Sequence, residues 1–185
     1  MTVELIYETH ATSTDNETGI ATGWLPGELS EAGRRQAREL GERRRDDRVV
    51  AVYTSDLRRA VETARIAFEG SGLPVRADPL LRECDYGELN GAARSRVAAE
   101  RRRRIREPFP GGESYQRVVD RTRDFLAELV RDRDGDRVVV VAHSANRWAL
   151  EVLLHGRSLV ELVDAPFDWQ PGWLFRVGSS WGRPG

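Results

Sequence analysis

At 185 residues, 39% hydrophobic and 32% charged, the chain has room for one domain with a real core and is too polar for a membrane-embedded one. A formal net charge of -1 excludes a role resting on bulk attraction to nucleic acid or an anionic membrane surface. A single cysteine, Cys84, excludes an internal disulfide and a cysteine-based zinc site.

In chain order, Val3 to Tyr7 is an apolar, β-branched run and predicts a strand, which ends at His10. Residues 8–29 are polar, rich in Thr and Gly, and longer than most connections, so they predict a functional loop. Ser30 is a candidate N-cap for a helix to about Arg45, with Ala37 and Leu40 inward and Gly33 weakening it locally. Val49 to Thr54 predicts a second buried strand, and Leu57 to Phe68 a helix. Ser71 to Pro79 predicts a turn-rich link around a short extended piece. Leu80 to Asn90 has no regular pattern, and Gly91 to Arg106 predicts a basic exposed helix stopped by Pro108 and Pro110. Five arginines between Arg101 and Arg106 are read as a solvated face rather than a nucleic-acid contact, since no aromatic residues interleave them. A helix from Ser114 to about Arg131, a turn at Asp134-Gly135-Asp136, a strong strand from Arg137 to Ala142, a helix from Asn146 to Leu154 and an edge strand over Trp173 to Val177 complete the pattern.

The alternation of strands and helices predicts an α/β architecture in a single domain, 1–185. No stretch reaches the length of a membrane span, and the N-terminus enters a strand at once with no export signal, so a cytoplasmic location is expected. Two of the three histidines, His10 and His143, directly follow apolar strands, a placement that delivers reactive groups to a cleft at strand C-termini. His155 reads as a helix C-terminal histidine, and Cys84 as small core filler. Trp148, Trp169, Trp173 and Trp181 are assigned to covering the core, and Trp24 to a substrate mouth.

Four segments together resemble the histidine phosphatase superfamily, with its phosphoglycerate mutase-like fold. They are Thr9-His10-Ala11 with Asn16, Thr22 and Gly23 downstream; Ser55-Asp56-Leu57-Arg58-Arg59-Ala60 with Thr63-Ala64; Leu81-Arg82-Glu83; and Pro110-Gly111-Gly112-Glu113-Ser114 joined to Val139-Val140-Val141-Ala142-His143. The match runs over roughly residues 3 to 156. It implies three layers: a mainly parallel central sheet with helices on both faces. It further implies that His10 is a nucleophile that takes up a phosphoryl group, that Arg59 and His143 hold the phosphoryl oxygens, and that Glu83 serves as acid and base. Asn16, Thr22 and Gly23 fall on positions that touch substrate; Glu8, Thr9 and Ser144 join them as neighbours of the two histidines. The scheme needs no metal and no cofactor. Its partner is a small phosphorylated substrate, with no nucleic acid and no membrane, and a homodimer stays open.

This sequence departs from the family signature at Thr9, where the family carries arginine, and at Ala11, where it carries glycine. Losing one charged clamp is worth roughly 1.5–3 kcal/mol per hydrogen bond. Glu8 adds an acid beside an anion pocket, either as a substrate contact or as a partner of Arg59. The leading expectation is a metal-independent phosphatase. A mutase ranks lower, because the chain lacks the long insertions mutase members carry. An enzyme with a remodelled pocket and a non-catalytic binding module remain alternatives.

Overall fold

The computed structural model of the chain describes residues 1–181. In chain order the elements are β1 (Thr2–Thr9), α1 (Thr14–Glu17), β2 (Ile20–Ala21), α2 (Glu31–Arg44), β3 (Ala51–Ser55), α3 (Arg58–Ala67), β4 (Val75–Asp78), β5 (Ala92–Ala93), α4 (Arg94–Glu100), α5 (Tyr115–Arg133), β6 (Arg137–Ala142), α6 (Ser144–His155), α7 (Leu159–Asp164) and β7 (Trp173–Gly178). A five-stranded sheet has the order β4-β3-β6-β1-β7. The first four strands are mutually parallel and β7 runs antiparallel at the edge of β1.

The strands β3 and β6 are almost wholly buried because helices cover both faces of the sheet. On one face Leu5, Tyr7, Val138 and Val140 pack against Phe125 and Leu126 of α5 and Leu150 of α6. On the other, Ile6, Val139 and Val141 meet Leu40 of α2 and Ala64 of α3. The fold is the expected three-layer one.

Caps follow the sequence closely. The Ser30 hydroxyl accepts from the Gly33 amide at the start of α2, and Ser114 accepts from Arg117 at the start of α5. Gly33 is more than a weak helix residue: a Cβ there would lie 1.9 Å from the Thr12 carbonyl oxygen. The glycine lets the first turn of α2 press against the segment that follows His10.

The long basic helix is a misreading. α4 stops at Glu100 and the chain re-forms only as a short 3₁₀ turn over Arg103–Ile105. Arg104 is buried, paired with Glu100 and Glu107 at 2.8 Å each and bonded to the Pro108 carbonyl. Arg101 lies over the Trp148 ring, 5.3 Å from its centroid. Only part of the arginine run is a solvated face, because residues three apart share one side of a helical turn and Arg101 and Arg104 fall on the inward side.

Candidate active site

Parallel strands in register carry equivalent residues to one level. Thr9 of β1 is opposite Ala142 of β6, and the His10 amide continues the ladder to the Ala142 carbonyl at 2.9 Å. His10 and His143 therefore leave adjacent strands side by side, with ring centroids 5.1 Å apart. His143 is buried at the N-cap position of α6, and its carbonyl accepts the Tyr7 hydroxyl at 2.5 Å.

Arg59, in the first turn of α3, reaches across both imidazoles and is itself buried. Its Nε donates to His10 Nε2 at 3.3 Å, and one Nη donates to His143 Nδ1 at 3.4 Å and to the Gly23 carbonyl at 2.9 Å. A guanidinium has no acceptor, so both ring nitrogens must present lone pairs. His10 carries its proton on Nδ1, which donates to the Ala11 carbonyl at 2.8 Å. In the neutral ring of His143 the proton is then on Nε2. That atom is buried with no partner among the described residues.

Electrostatics keeps both rings neutral. Loss of water around His10, reinforced by the Arg59 guanidinium, lowers its pKa from 6.5 to about 3. Burial, then Arg59 and His10, push His143 well below the usual range. Glu83 moves the opposite way. Burial raises its pKa, although the Cys84 amide, which donates to Oε1 at 2.7 Å, and the charges of Arg59 and Arg121 oppose the rise. A carboxyl poised this way is suited to holding a proton and giving it up.

The backbone beneath Glu83 is fixed from two sides. The Trp24 indole N–H donates to the Glu83 carbonyl at 2.7 Å, and the buried Arg121 of α5 donates to it at 2.9 Å. Trp24 thus anchors Glu83 and is not among the residues lining the cavity, contrary to the mouth position expected of it. Arg121 was missed in the sequence. An arginine at an inward position between Val118 and Phe125 was the available signal.

A cavity of about 550 Å³ opens here, and Glu8, Thr9, His10, Asn16, Thr22, Gly23, Arg59, Glu83 and Ser144 all line it. Their side chains are differently committed. Asn16 Oδ1 accepts from Ser13 in a reciprocal cap of α1, and the Thr22 hydroxyl donates to Asp15 at 2.7 Å. Gly23 contributes the carbonyl that holds Arg59. Glu8 is not the partner of Arg59: its Oε1 accepts from Arg44 Nε at 2.9 Å and Nη2 at 2.7 Å. The reason is strand alternation, which points Glu8 with Ile6 toward α2. Trp148 is buried as expected, but Trp169 is 58% exposed and stands at the cavity wall. Among the described residues no cluster of three or more His, Cys, Asp or Glu side chains could hold a metal ion, and no helix is long and apolar enough to cross a membrane.

Fold and site define an α/β protein with a neutral two-histidine pocket, bridged by an arginine, at the C-terminal edge of a parallel sheet. The chain belongs to the histidine phosphatase superfamily (branch 1), whose profile matches residues 9–168. It is 36% identical over 170 residues to a 2,3-bisphosphoglycerate-dependent phosphoglycerate mutase of Methylobacterium sp. (strain 4-46), covering 82% of this chain and 80% of the relative. It is 33% identical over 165 residues to phosphoserine phosphatase 1 of Hydrogenobacter thermophilus, covering 85% and 78%. Among solved structures, a mycobacterial glucosyl-3-phosphoglycerate phosphatase superposes with a TM-score of 0.76 at 31% identity, over 88% of this chain and 84% of that one. YhfR of Bacillus stearothermophilus gives 0.83 at 25% identity, over 94% and 90%.

Proposed function

We propose that the protein is a metal-independent phosphatase that hydrolyses a small phosphorylated metabolite through a phosphohistidine intermediate on His10. One observation carries the reading: Arg59 donates at once to the Nε2 lone pair of His10, which lines the cavity, and to Nδ1 of the adjacent His143, whose buried Nε2–H has no partner among the described residues. A neutral nucleophile ringed by donors suits a phosphoryl group, whose charge lies on its peripheral oxygens.

In the first step His10 Nε2 attacks phosphorus and the bond to the ester oxygen breaks, while protonated Glu83 gives its proton to that leaving oxygen. The Arg59 Nε–H, resting on the His10 lone pair in the free protein, turns to a phosphoryl oxygen, and His143 Nε2–H takes another. The His10 Nδ1–H bond to Ala11 holds the ring in place while Nε2 bears the phosphoryl group. In the second step ionised Glu83 takes a proton from water, the oxygen attacks phosphorus, and the P–N bond breaks to release phosphate and neutral His10. The named phosphatase relatives support hydrolysis. The mutase relatives favour a second reading, return of the phosphoryl group to another substrate hydroxyl instead of water.

The test is a panel of phosphate monoesters assayed for inorganic phosphate, with mass spectrometry of acid-labile phosphate on His10 after rapid quench. Phosphate release that disappears in His10→Ala supports the phosphatase. Isomerised ester without phosphate release supports the mutase. Equal release by His10→Ala defeats both.

A further inference from the structure

The cavity does not end at the two histidines. Beyond them it is bounded by the last turn of α2 and by residues 165–172, where Arg43, Phe167 and Trp169 form part of its lining. None of these takes part in the steps above.

This wall is fastened down, although its aromatic side chains are more than half exposed. Phe167 is 54% and Trp169 58% exposed. The segment that bears them is tied to α2 by an Arg44 Nη2 bond to the Pro171 carbonyl at 2.5 Å, and Arg44 is tied in turn to the buried Glu8 of β1. Glu8 lies two residues before His10, so one ion pair fixes the distance between the aromatic wall and the nucleophile. Rigid support of this kind preorganises a binding surface.

Arg43 adds chemistry to the wall. Its guanidinium sits over the Trp169 ring, 5.8 Å from the centroid, and its ion pair with Glu8 is long, 3.6 Å. Its Nε is buried and has no partner among the described residues. A buried donor without an acceptor is costly unless a ligand atom satisfies it.

We infer that Arg43, Phe167 and Trp169 form the subsite for the substrate's leaving group, and that it accepts a flat aromatic or heteroaromatic ring, stacked on Trp169, with an acceptor atom on Arg43 Nε. The inference rests on the phosphatase reading, which puts the ester's organic half in this cavity. A sugar ring presents many hydroxyls and requires many polar partners; the wall here offers two aromatic rings and only a few polar side chains, Gln36, Glu39 and Arg43. A short alkyl chain uses neither.

The readout is the ratio of kcat/KM for 1-naphthyl phosphate to that for glycerol 3-phosphate. The expected result is a wild-type ratio well above one, which falls about tenfold in Trp169→Ala and in Arg43→Ala and is kept in Trp169→Phe, with the change carried by KM. A ratio that stays within twofold in Trp169→Ala overturns the inference, as does a wild-type preference for glucose 1-phosphate over the naphthyl ester. If the wild type hydrolyses none of these esters, the phosphatase reading fails and the subsite is judged by binding alone. Calorimetry with phenylphosphonate and methylphosphonate then decides: a phenyl preference abolished by Trp169→Ala sustains the subsite, and equal Kd values for the two ligands overturn it.

Discussion

Replacing Arg121 by methionine separates the chemistry of Glu83 from its support. Arg121 is buried and donates to the Leu80 carbonyl at 2.7 Å, to the Glu83 carbonyl at 2.9 Å and to Glu113 at 3.1 Å. Methionine keeps the apolar stem but leaves Glu113 without its cation and the Leu80 carbonyl short of a donor. Breaking a buried pair costs roughly 3–5 kcal/mol. At roughly 2–4 °C per kcal/mol for a chain of this size, Tm falls on the order of 10 °C. Trp24 still holds the Glu83 carbonyl, so the carboxyl loosens without leaving the cavity. Misplacement by an ångström costs about 10²-fold, and with Trp24 retained we expect kcat to fall by one to two decades at nearly constant KM, since His10, Arg59 and His143 are untouched. Arg121 also opposes the rise in Glu83's pKa, so its removal shifts the alkaline limb of the pH–rate profile to higher pH. Urea unfolding and steady-state kinetics across pH provide the measurements. A folded variant with kcat within twofold of wild type and an unmoved alkaline limb refutes the positioning role.

Two further outcomes follow from the same geometry. His10 binds its proton only near pH 3 in the folded state, against about 6.5 unfolded, so the unfolded chain takes up the proton first as pH falls. Folding stability therefore drops below pH 6.5, by about 1.4 kcal/mol per pH unit from His10, and continues to drop until pH nears 3; raised Glu83 acts in the opposite sense as it protonates. Urea midpoints from pH 7 to 5 should fall in wild type and fall less in His10→Ala, and a flat profile in wild type contradicts the neutral-histidine account. At Gly33 and Gly41 an added Cβ meets the carbonyl oxygens of Thr12 and Ala67, at 1.9 and 2.0 Å. Alanine at either site should lower stability by about 1–3 kcal/mol despite its better helix propensity, and only Gly33→Ala, which displaces the segment after His10, should also reduce kcat; thermal melts and kinetics on both variants check this.

Local sequence determined what local physics controls. Ser30 and Ser114 cap their helices because a hydroxyl satisfies an amide three residues on, and the Val138–Val141 run is buried because helices cover both sheet faces. The placement of His10 and His143 after such strands was legible for the same reason, and parallel register then carried them together. Glu83 and Arg59 were legible through family resemblance, since nothing in their own neighbourhoods distinguishes them from other acids and arginines in a chain where 32% of residues are charged.

Only the tertiary structure decided the partners of those charges. Glu8, open in the sequence between a substrate contact and a partner of Arg59, pairs with Arg44, because side chains alternate across a strand and the face Glu8 shares with Ile6 is covered by α2. Arg104 read as part of a solvated face and Arg121 drew no reading at all, yet both are buried where carboxylates and carbonyls meet them. Neither Trp24 nor Trp169 took its expected place: Trp24, expected at a substrate mouth, fixes Glu83, and Trp169, expected to cover the core, lines the cavity. Pairing of this kind depends on which elements come to lie against one another, and sequence spacing carries no record of it.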